Sequence, residues 1–141
     1  MDAKKIAVNL ICKFETNDPF AIAQHLGVTI LWSDMRNTLG FFCQYKRSKF
    51  IHLNSNMPEM LQYIVCAHEL AHSILHPHIN TPYLKMRTLF STDKIERQAN
   101  TFAVELLIPD KLLQEHGGVS VYDIAAKLGI PAKLIELKSK K

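Results

Sequence analysis

Residues 57–76, MPEMLQYIVCAHELAHSILH, contain the motif from which the rest of the chain can be interpreted. The motif is His68-Glu69-Leu70-Ala71-His72, and two histidines four residues apart lie one turn apart on the same face of a helix. Their ring nitrogens can therefore bind one metal ion, while Glu69 projects beside them, where a carboxylate can act as a base without binding the ion. The spacing predicts a zinc site of the protease type.

The residues around the motif follow the period of a helix. Apolar side chains recur with the two histidines at steps of three and four, namely Leu61, Ile64, Val65, Ala71 and Leu75. Asn56 is the predicted N-cap, with Pro58 in the first turn and Glu59 completing a capping box. Two imidazoles and a carboxylate are costly to bury on an apolar face unless something pairs with them, so we favour a metal site over hydrogen-bonded core histidines.

Composition predicts one globular domain spanning 1–141, because the chain has 141 residues, of which 48% are hydrophobic and 21% charged. Its three cysteines form no CxxC pair, which argues against a disulfide framework and favours a reducing cytoplasm. We find neither a signal-peptide pattern nor a run of about 18 apolar residues, so we expect a protein that is neither secreted nor membrane-spanning. Much of the net charge of +4 comes from Lys138, Lys140 and Lys141, and we interpret these lysines as part of a solvated, disordered tail.

The predicted elements form an α+β fold, in which a small antiparallel sheet packs against the motif helix and further helices follow. The β-branched and aromatic runs predict a strand at 28–32 and a hairpin of strands at 41–45 and 50–53. A proline-containing stretch after His76 is expected to cross the surface and form one wall of a cleft. Capping and periodicity predict helices at about 3–14, 19–26, 57–76, 94–107, 109–115, 120–128 and 131–138.

A catalytic zinc usually takes three protein ligands, so His68 and His72 need a partner. Glu96 is the best candidate, because its helical face carries small or polar residues that can lie against the motif helix. Glu96 also stands three residues after Asp93, the spacing of a capping box, which would instead place it near water. The alternative ligands are His76 and Glu105, and the polar neighbours of Glu105 predict a more solvent-facing edge for it.

Two segments together resemble the ImmA/IrrE family of metallo-endopeptidases: HELAHSILH at 68–76 and ERQANTFAVELLIP at 96–109. The helix opening at Asp18-Pro19, the hairpin at 40–54 and the pair Val119-Ser120 also fit that family's order. The resemblance implies a zincin-like fold, one Zn²⁺ per chain held by His68, His72 and Glu96, and Glu69 as the catalytic carboxylate. Ala71 departs from the glycine that is more common in the family, which affects packing rather than chemistry.

The resemblance also implies a function, because similar proteins promote cleavage of a helix-turn-helix repressor and so induce a prophage or mobile element, while others act in stress responses. We therefore expect a cytoplasmic zinc endopeptidase with such a repressor as its protein substrate. Further contacts to the ligands or the substrate are expected from Asn100, His76, His78 and Tyr83. An extended substrate is expected to pair with a sheet edge at 41–45 or 49–54.

Two other functions compete with proteolysis. Residues 120–135, SVYDIAAKLGIPAKLI, resemble a helix-turn-helix, but the second helix offers few donors for base edges, so we do not expect direct nucleic-acid binding. A metal-bound regulator that docks on a repressor without cleaving it is the other alternative. The intact Glu69 argues against an inactive relic.

Overall fold

The computed structural model describes residues 2–78 and 83–139 as an α+β arrangement of helices and three strands. No helix in these ranges is both long and apolar enough to cross a membrane. In chain order, the elements are α1 (Ala3–Phe14), α2 (Pro19–His25), β1 (Val28–Ser33), β2 (Gly40–Tyr45), β3 (Ser48–Asn54), α3 (Glu59–Leu75), α4 (Met86–Leu89), α5 (Lys94–Leu107), α6 (Asp110–Glu115), α7 (Val121–Leu128) and α8 (Ala132–Ser139).

The predicted helices and strands are confirmed to within a few residues at their ends, but the predicted cap of the motif helix is wrong. Pro58 occupies the N-cap position of α3 without a side-chain hydrogen bond, and its carbonyl accepts from the Gln62 backbone N–H at 3.1 Å. Asn56 lies two residues earlier, in the turn after β3, where its backbone N–H donates to Asn54 Oδ1 at 2.9 Å. Asn56 is therefore part of the turn before the helix and not its N-cap. The short helix α4 was not predicted.

The sheet is mixed, so the prediction of an antiparallel sheet is wrong for β1. Strand order is β1-β3-β2: β2 and β3 form the predicted antiparallel hairpin, with Phe42 opposite Ile51, while β1 runs parallel to β3, with Ile30 opposite Ile51. The chain crosses from one edge to the other between β1 and β2, which sequence periodicity does not reveal. Because β3 is central, residues 49–54 are not an edge, and the expected substrate edge is restricted to β2.

Helix α3 lies at the centre of the molecule, in contact with β2 and β3 on one side and with α5 on another. Every residue from Ile64 to Ser73 is buried, as expected for a helix surrounded by other elements. The packing is completed by fully buried side chains from the sheet and from the helices, including Ile51, Leu53, Leu70, Phe102 and Leu106. The histidine motif is therefore held inside the core.

The C-terminal helix α8 packs against α5, with Leu134 and Ile135 buried. Lys138 is also buried, and its Nζ lies 2.6 Å from carboxylate oxygens of both Glu105 and Asp110. The prediction of a solvated tail is therefore wrong for Lys138, because two carboxylates compensate the cost of burying its charge. Lys140 and Lys141 lie outside the described residues.

Gly40 is required where β2 passes between β3 and α3. A Cβ at this position would lie 2.7 Å from the backbone oxygen of His52 and 3.0 Å from Val65 Cγ1, and the backbone atom cannot move without disturbing the sheet. We expect Gly40→Ala to lower the free energy of unfolding by about 1–3 kcal/mol, measured by urea denaturation. Gly117→Ala is the control, since its nearest neighbour would be 3.8 Å away. Equal stability of Gly40→Ala and the wild type would contradict this assignment.

Candidate metal centre

Three buried side chains from α3 and α5 converge at one point: His68, His72 and Glu96. Glu96 Oε1 lies 3.0 Å from His68 Nε2 and 2.8 Å from His72 Nε2, and the two Nε2 atoms are 3.2 Å apart. Ala99 and Ala103 of α5 are buried, and such small side chains allow α5 to approach α3 closely. The structure thus brings the predicted ligand set together.

The alternatives weighed for Glu96 do not match this geometry. Asp93 is the N-cap residue of α5 but makes no side-chain cap hydrogen bond. Glu96 lies in the first turn of α5, but it is only 4% exposed and therefore does not face water. Glu105 lies further along α5 and is bound to Lys138. Its expected solvent-facing position is wrong, because α8 covers that side of α5.

Asn100 determines which nitrogen of His68 carries the proton. Its Nδ2 donates to the backbone oxygen of Leu89 at 2.5 Å, so its Oδ1 is the atom that faces His68 Nδ1, at 2.6 Å. His68 Nδ1 must then be the donor of that hydrogen bond. In the neutral ring, Nε2 therefore presents a lone pair toward His72 and Glu96, as a metal ligand requires.

His72 has a different outer partner. Its Nδ1 lies 3.0 Å from Nδ1 of His76, and His76 Nε2 lies 2.7 Å from Oε1 of Gln98. His76 therefore contacts a ligand candidate from outside the triad. Sequence reasoning did not assign a role to Gln98. The sequence contains one indication of such a contact. His76 lies four residues after His72, on the same helical face, and a buried histidine there needs a polar partner on the facing helix.

Glu69 is buried beside the triad with an unsatisfied oxygen. The side chain is 1% exposed, and Oε1 has no hydrogen-bond partner among the described residues. Burial raises the pKa of Glu69 to about 7, with the charge of Glu96 acting in the same direction, while the charge of His68 and a hydrogen bond from the Phe42 backbone oppose the rise. A carboxyl group that titrates near neutrality is suited to accept and release protons.

The charges of the triad favour a bound cation. Burial raises the pKa of Glu96, but hydrogen bonds from His68 and His72 outweigh it and lower that pKa to about 2, so the carboxylate stays ionised. Burial lowers the pKa of His72. For His68, burial also lowers the pKa, but the hydrogen bond to Glu96 and the charges of Glu69 and Glu96 outweigh it, and the pKa rises. The buried negative charge thus draws a positive charge to this point.

The other two predicted contact residues lie outside the triad. His78 is exposed on the turn after α3. Tyr83 is 60% exposed and packs on Phe41 at the start of β2, with ring centroids 4.6 Å apart. The adjacent Leu84 pairs with Gly40 at the outer edge of β2. Substrate contact by His78 or Tyr83 remains a prediction.

The sequence of the chain is similar to those of a known family of proteins. The model of the IrrE N-terminal-like domain, a peptidase family, matches residues 23–140 of the chain. The chain belongs to the ImmA/IrrE family. Within it, the chain is 42% identical over 138 residues to "Uncharacterized immunity region protein 2" of Bacillus phage phi105, covering 96% of this chain and 87% of that protein. It is 33% identical over 129 residues to "Metallopeptidase ImmA" of Bacillus subtilis strain 168, covering 87% of this chain and 75% of that relative.

Membership of this metallopeptidase family implies a divalent metal ion. Among the described residues, His68, His72 and Glu96 form the group whose nitrogen and oxygen atoms could hold one. The family and the geometry therefore indicate the same place in the fold.

Proposed function

We propose that this protein is a zinc-dependent endopeptidase that cleaves a helix-turn-helix repressor. His68, His72 and Glu96 are its zinc ligands, and Glu69 is its catalytic carboxylate. One observation carries the proposal: three buried atoms of the kinds that bind zinc, two imidazole nitrogens and one carboxylate oxygen, converge within 3.2 Å of each other beside a fourth buried group, Glu69. Such an arrangement is unfavourable without a cation.

The size of the triad and its donor set fit zinc. Zinc binds histidine nitrogen and carboxylate oxygen at about 2.0–2.2 Å in tetrahedral geometry, which spaces the ligand atoms about 3.3 Å apart. The observed separations of 2.8–3.2 Å are slightly shorter, so a point about 2 Å from all three atoms exists just outside their plane. Two imidazoles and a carboxylate leave one position open, which is typical of catalytic rather than structural zinc sites.

The chemistry is divided between the ion and Glu69. When bound, zinc lowers the pKa of water and polarises the scissile carbonyl. Glu69 accepts the proton of the attacking water and delivers it to the leaving amine. Its pKa of about 7 allows both steps near neutral pH, and the hydrogen bond from the Phe42 backbone holds the carboxylate in place. Hydrolysis by this route needs no covalent intermediate.

The same hydrogen bond supports a position for the substrate. It connects Glu69 to β2, which is an edge strand, so the outer edge of β2 borders the catalytic carboxylate. An extended peptide that pairs with β2 would pass the site with its backbone fixed by the strand. Tyr83, packed on Phe41 beside that edge, is then in reach of a substrate side chain.

The repressor is proposed from the relatives, since one is named for the immunity region of a phage and another is named metallopeptidase ImmA. The test is to incubate the zinc-loaded protein with the helix-turn-helix repressor encoded nearest its gene and to follow cleavage by mass spectrometry. We expect cleavage at one or a few bonds, loss of cleavage with a chelator, and recovery on adding zinc. A repressor that stays intact but binds the zinc-loaded protein would favour the non-proteolytic docking alternative.

Metal content tests the ligand set separately. We expect about one zinc per chain in the wild type by elemental analysis, and loss of zinc in both His72→Ala and Glu96→Ala, because each substitution removes one of three ligands. His78→Ala is the matched control, since this histidine is exposed and lies outside the triad. Zinc retained in a folded Glu96→Ala variant would contradict the assignment and move the third ligand to His76 or Glu105.

A further inference from the structure

We propose that His76 and Gln98 are positioning residues: they hold His72 in the tautomer and orientation that zinc binding requires. The proposal rests on the ligand set given above. Neither residue touches the reacting atoms. They act through a chain of two hydrogen bonds that ends on the outer nitrogen of His72.

The backbone brings His76 into this position. It follows the last residue of α3 as the C-cap, and its backbone N–H donates to the carbonyl oxygen of His72 at 2.9 Å. The ring is buried and lies over the ring of His72, with centroids 5.2 Å apart and the two Nδ1 atoms 3.0 Å apart. His76 is thus joined to His72 by both backbone and side chain, which leaves the imidazole pair little freedom.

The positions of the protons follow from the two ends of this chain of hydrogen bonds, His72 and Gln98. If His72 binds zinc through Nε2, that atom presents a lone pair, so the proton is on Nδ1 and is donated to His76 Nδ1. His76 Nδ1 is then the acceptor, and its own proton is on Nε2, donated to Oε1 of Gln98 at 2.7 Å. The opposite arrangement would need a donor from Gln98 at that point. The structure places Oε1 rather than Nε2 of Gln98 toward His76, and this orientation of the amide favours the tautomer that binds metal.

The two ligands are positioned by different means. His68 donates directly to Asn100, whose amide is anchored on the backbone oxygen of Leu89. Among the residues that the structure describes, His72 has no such direct contact with an anchored amide; the imidazole of His76 stands between it and Gln98. Outer partners of this kind fix ring orientation and raise ligand basicity, and losing one typically costs 10- to 100-fold in metal affinity.

The test measures zinc affinity by competition with a chromophoric chelator. We expect the dissociation constant to rise about 10- to 100-fold in His76→Phe, which removes the acceptor, and to rise several-fold in Gln98→Leu. Gln98→Glu keeps an oxygen that accepts from His76 Nε2 and is expected to stay within about threefold of the wild type. Thr101→Ala, one turn further along α5, is the matched control, since the Thr101 hydroxyl donates to the backbone oxygen of Arg97.

Nitrogen-15 NMR of the zinc-loaded wild type gives a readout that does not depend on activity or on folding of the variants. We expect the proton of His72 on Nδ1 and that of His76 on Nε2; the reverse placement overturns the proposal. Unchanged affinity in Gln98→Leu, which decides the matter if His76→Phe does not fold, overturns it while leaving the zinc site intact. A wild type that binds no zinc overturns the proposed function itself, and the positioning role with it.

Discussion

Glu69→Gln is expected to lower kcat/KM for repressor cleavage by about 10³-fold while the zinc content stays unchanged. General acid–base catalysis by a positioned carboxylate contributes about 10²- to 10⁴-fold, and an amide can neither accept the proton of water nor deliver one to the leaving amine. Glu69 is not in the ligand set, so its removal leaves His68, His72 and Glu96 in place. The measurement is a cleavage assay alongside elemental analysis of the same preparation.

Glutamine is the right replacement because it fills the same buried volume. Glu69 is 1% exposed, and a smaller residue would leave a cavity that confuses the result. Glu115→Gln serves as the control, because it makes the same chemical change at an exposed residue of α6. Full activity in a zinc-loaded Glu69→Gln variant would show that another group moves the proton.

The same substitution is expected to stabilise the zinc-free protein. Burial raises the pKa of Glu69 from 4.5 to about 7, so the carboxyl group is easiest to bury when protonated. Compared with Glu69→Gln, the wild type therefore has its highest free energy of unfolding below about pH 4.5. It loses that stability as the pH rises through 7, because the buried carboxyl group must then ionise. Above that pH, Glu69→Gln gains at most about 3 kcal/mol in free energy of unfolding, measured by urea denaturation with a chelator present. A difference that does not change with pH would contradict this.

The features that the sequence predicted well depend on short-range pattern. The histidine spacing and the apolar period place His68, Glu69 and His72 inside one helix, and the structure has that helix at Glu59–Leu75. Glu96 was the preferred candidate from a second helix because its face carries small and polar residues that allow close approach, and the structure places it beside the two histidines. Both predictions depend on the spacing of residues within one helix, and this spacing can be read directly from the sequence.

The features that the sequence did not predict depend on contacts between distant segments. The parallel pairing of β1 with β3 requires the chain to cross the sheet, and no local residue choice records that crossing. Lys138 resembled a tail residue because its partner Glu105 lies 33 positions earlier. The contact of Gln98 with His76 was missed for the same reason, since the two residues are 22 positions apart. In each case, tertiary packing decides what a local pattern leaves open.

Replacing Lys138 with methionine is expected to lower the free energy of unfolding by about 3–5 kcal/mol, the usual cost of removing one member of a buried ion pair. The Lys138 side chain is 3% exposed and that of Glu105 is 2% exposed, and Nζ lies 2.6 Å from Glu105 Oε1. Methionine keeps most of the apolar volume, so the loss reflects the buried carboxylate charge rather than a cavity. Urea denaturation followed by circular dichroism measures it.

The loss is not larger because Lys4 also faces these carboxylates. Its Nζ lies 2.7 Å from Asp110 Oδ2 and 4.0 Å from Glu105 Oε1, so α1 shares in the ion network. Hydrogen bonds from Lys138 and Lys4 lower the pKa of Asp110. The stability that Asp110 contributes is therefore present above about pH 4 and is lost as pH falls through the lowered pKa. In Lys138→Met, the stability lost at low pH should be smaller, because one of the two cations that lower the pKa of Asp110 is gone.

A double substitution separates the ion pair from general damage to α8. Removing both charges, in Glu105→Leu with Lys138→Met, leaves no carboxylate at position 105 to compensate, so we expect it to cost less than Lys138→Met alone. Lys127→Met, on the exposed side of α7, should change stability by less than about 0.5 kcal/mol. If the double variant is as unstable as the sum of the single variants, the pair is not coupled, and the anchoring of α8 on α5 must come from the apolar contacts of Leu134 and Ile135 instead.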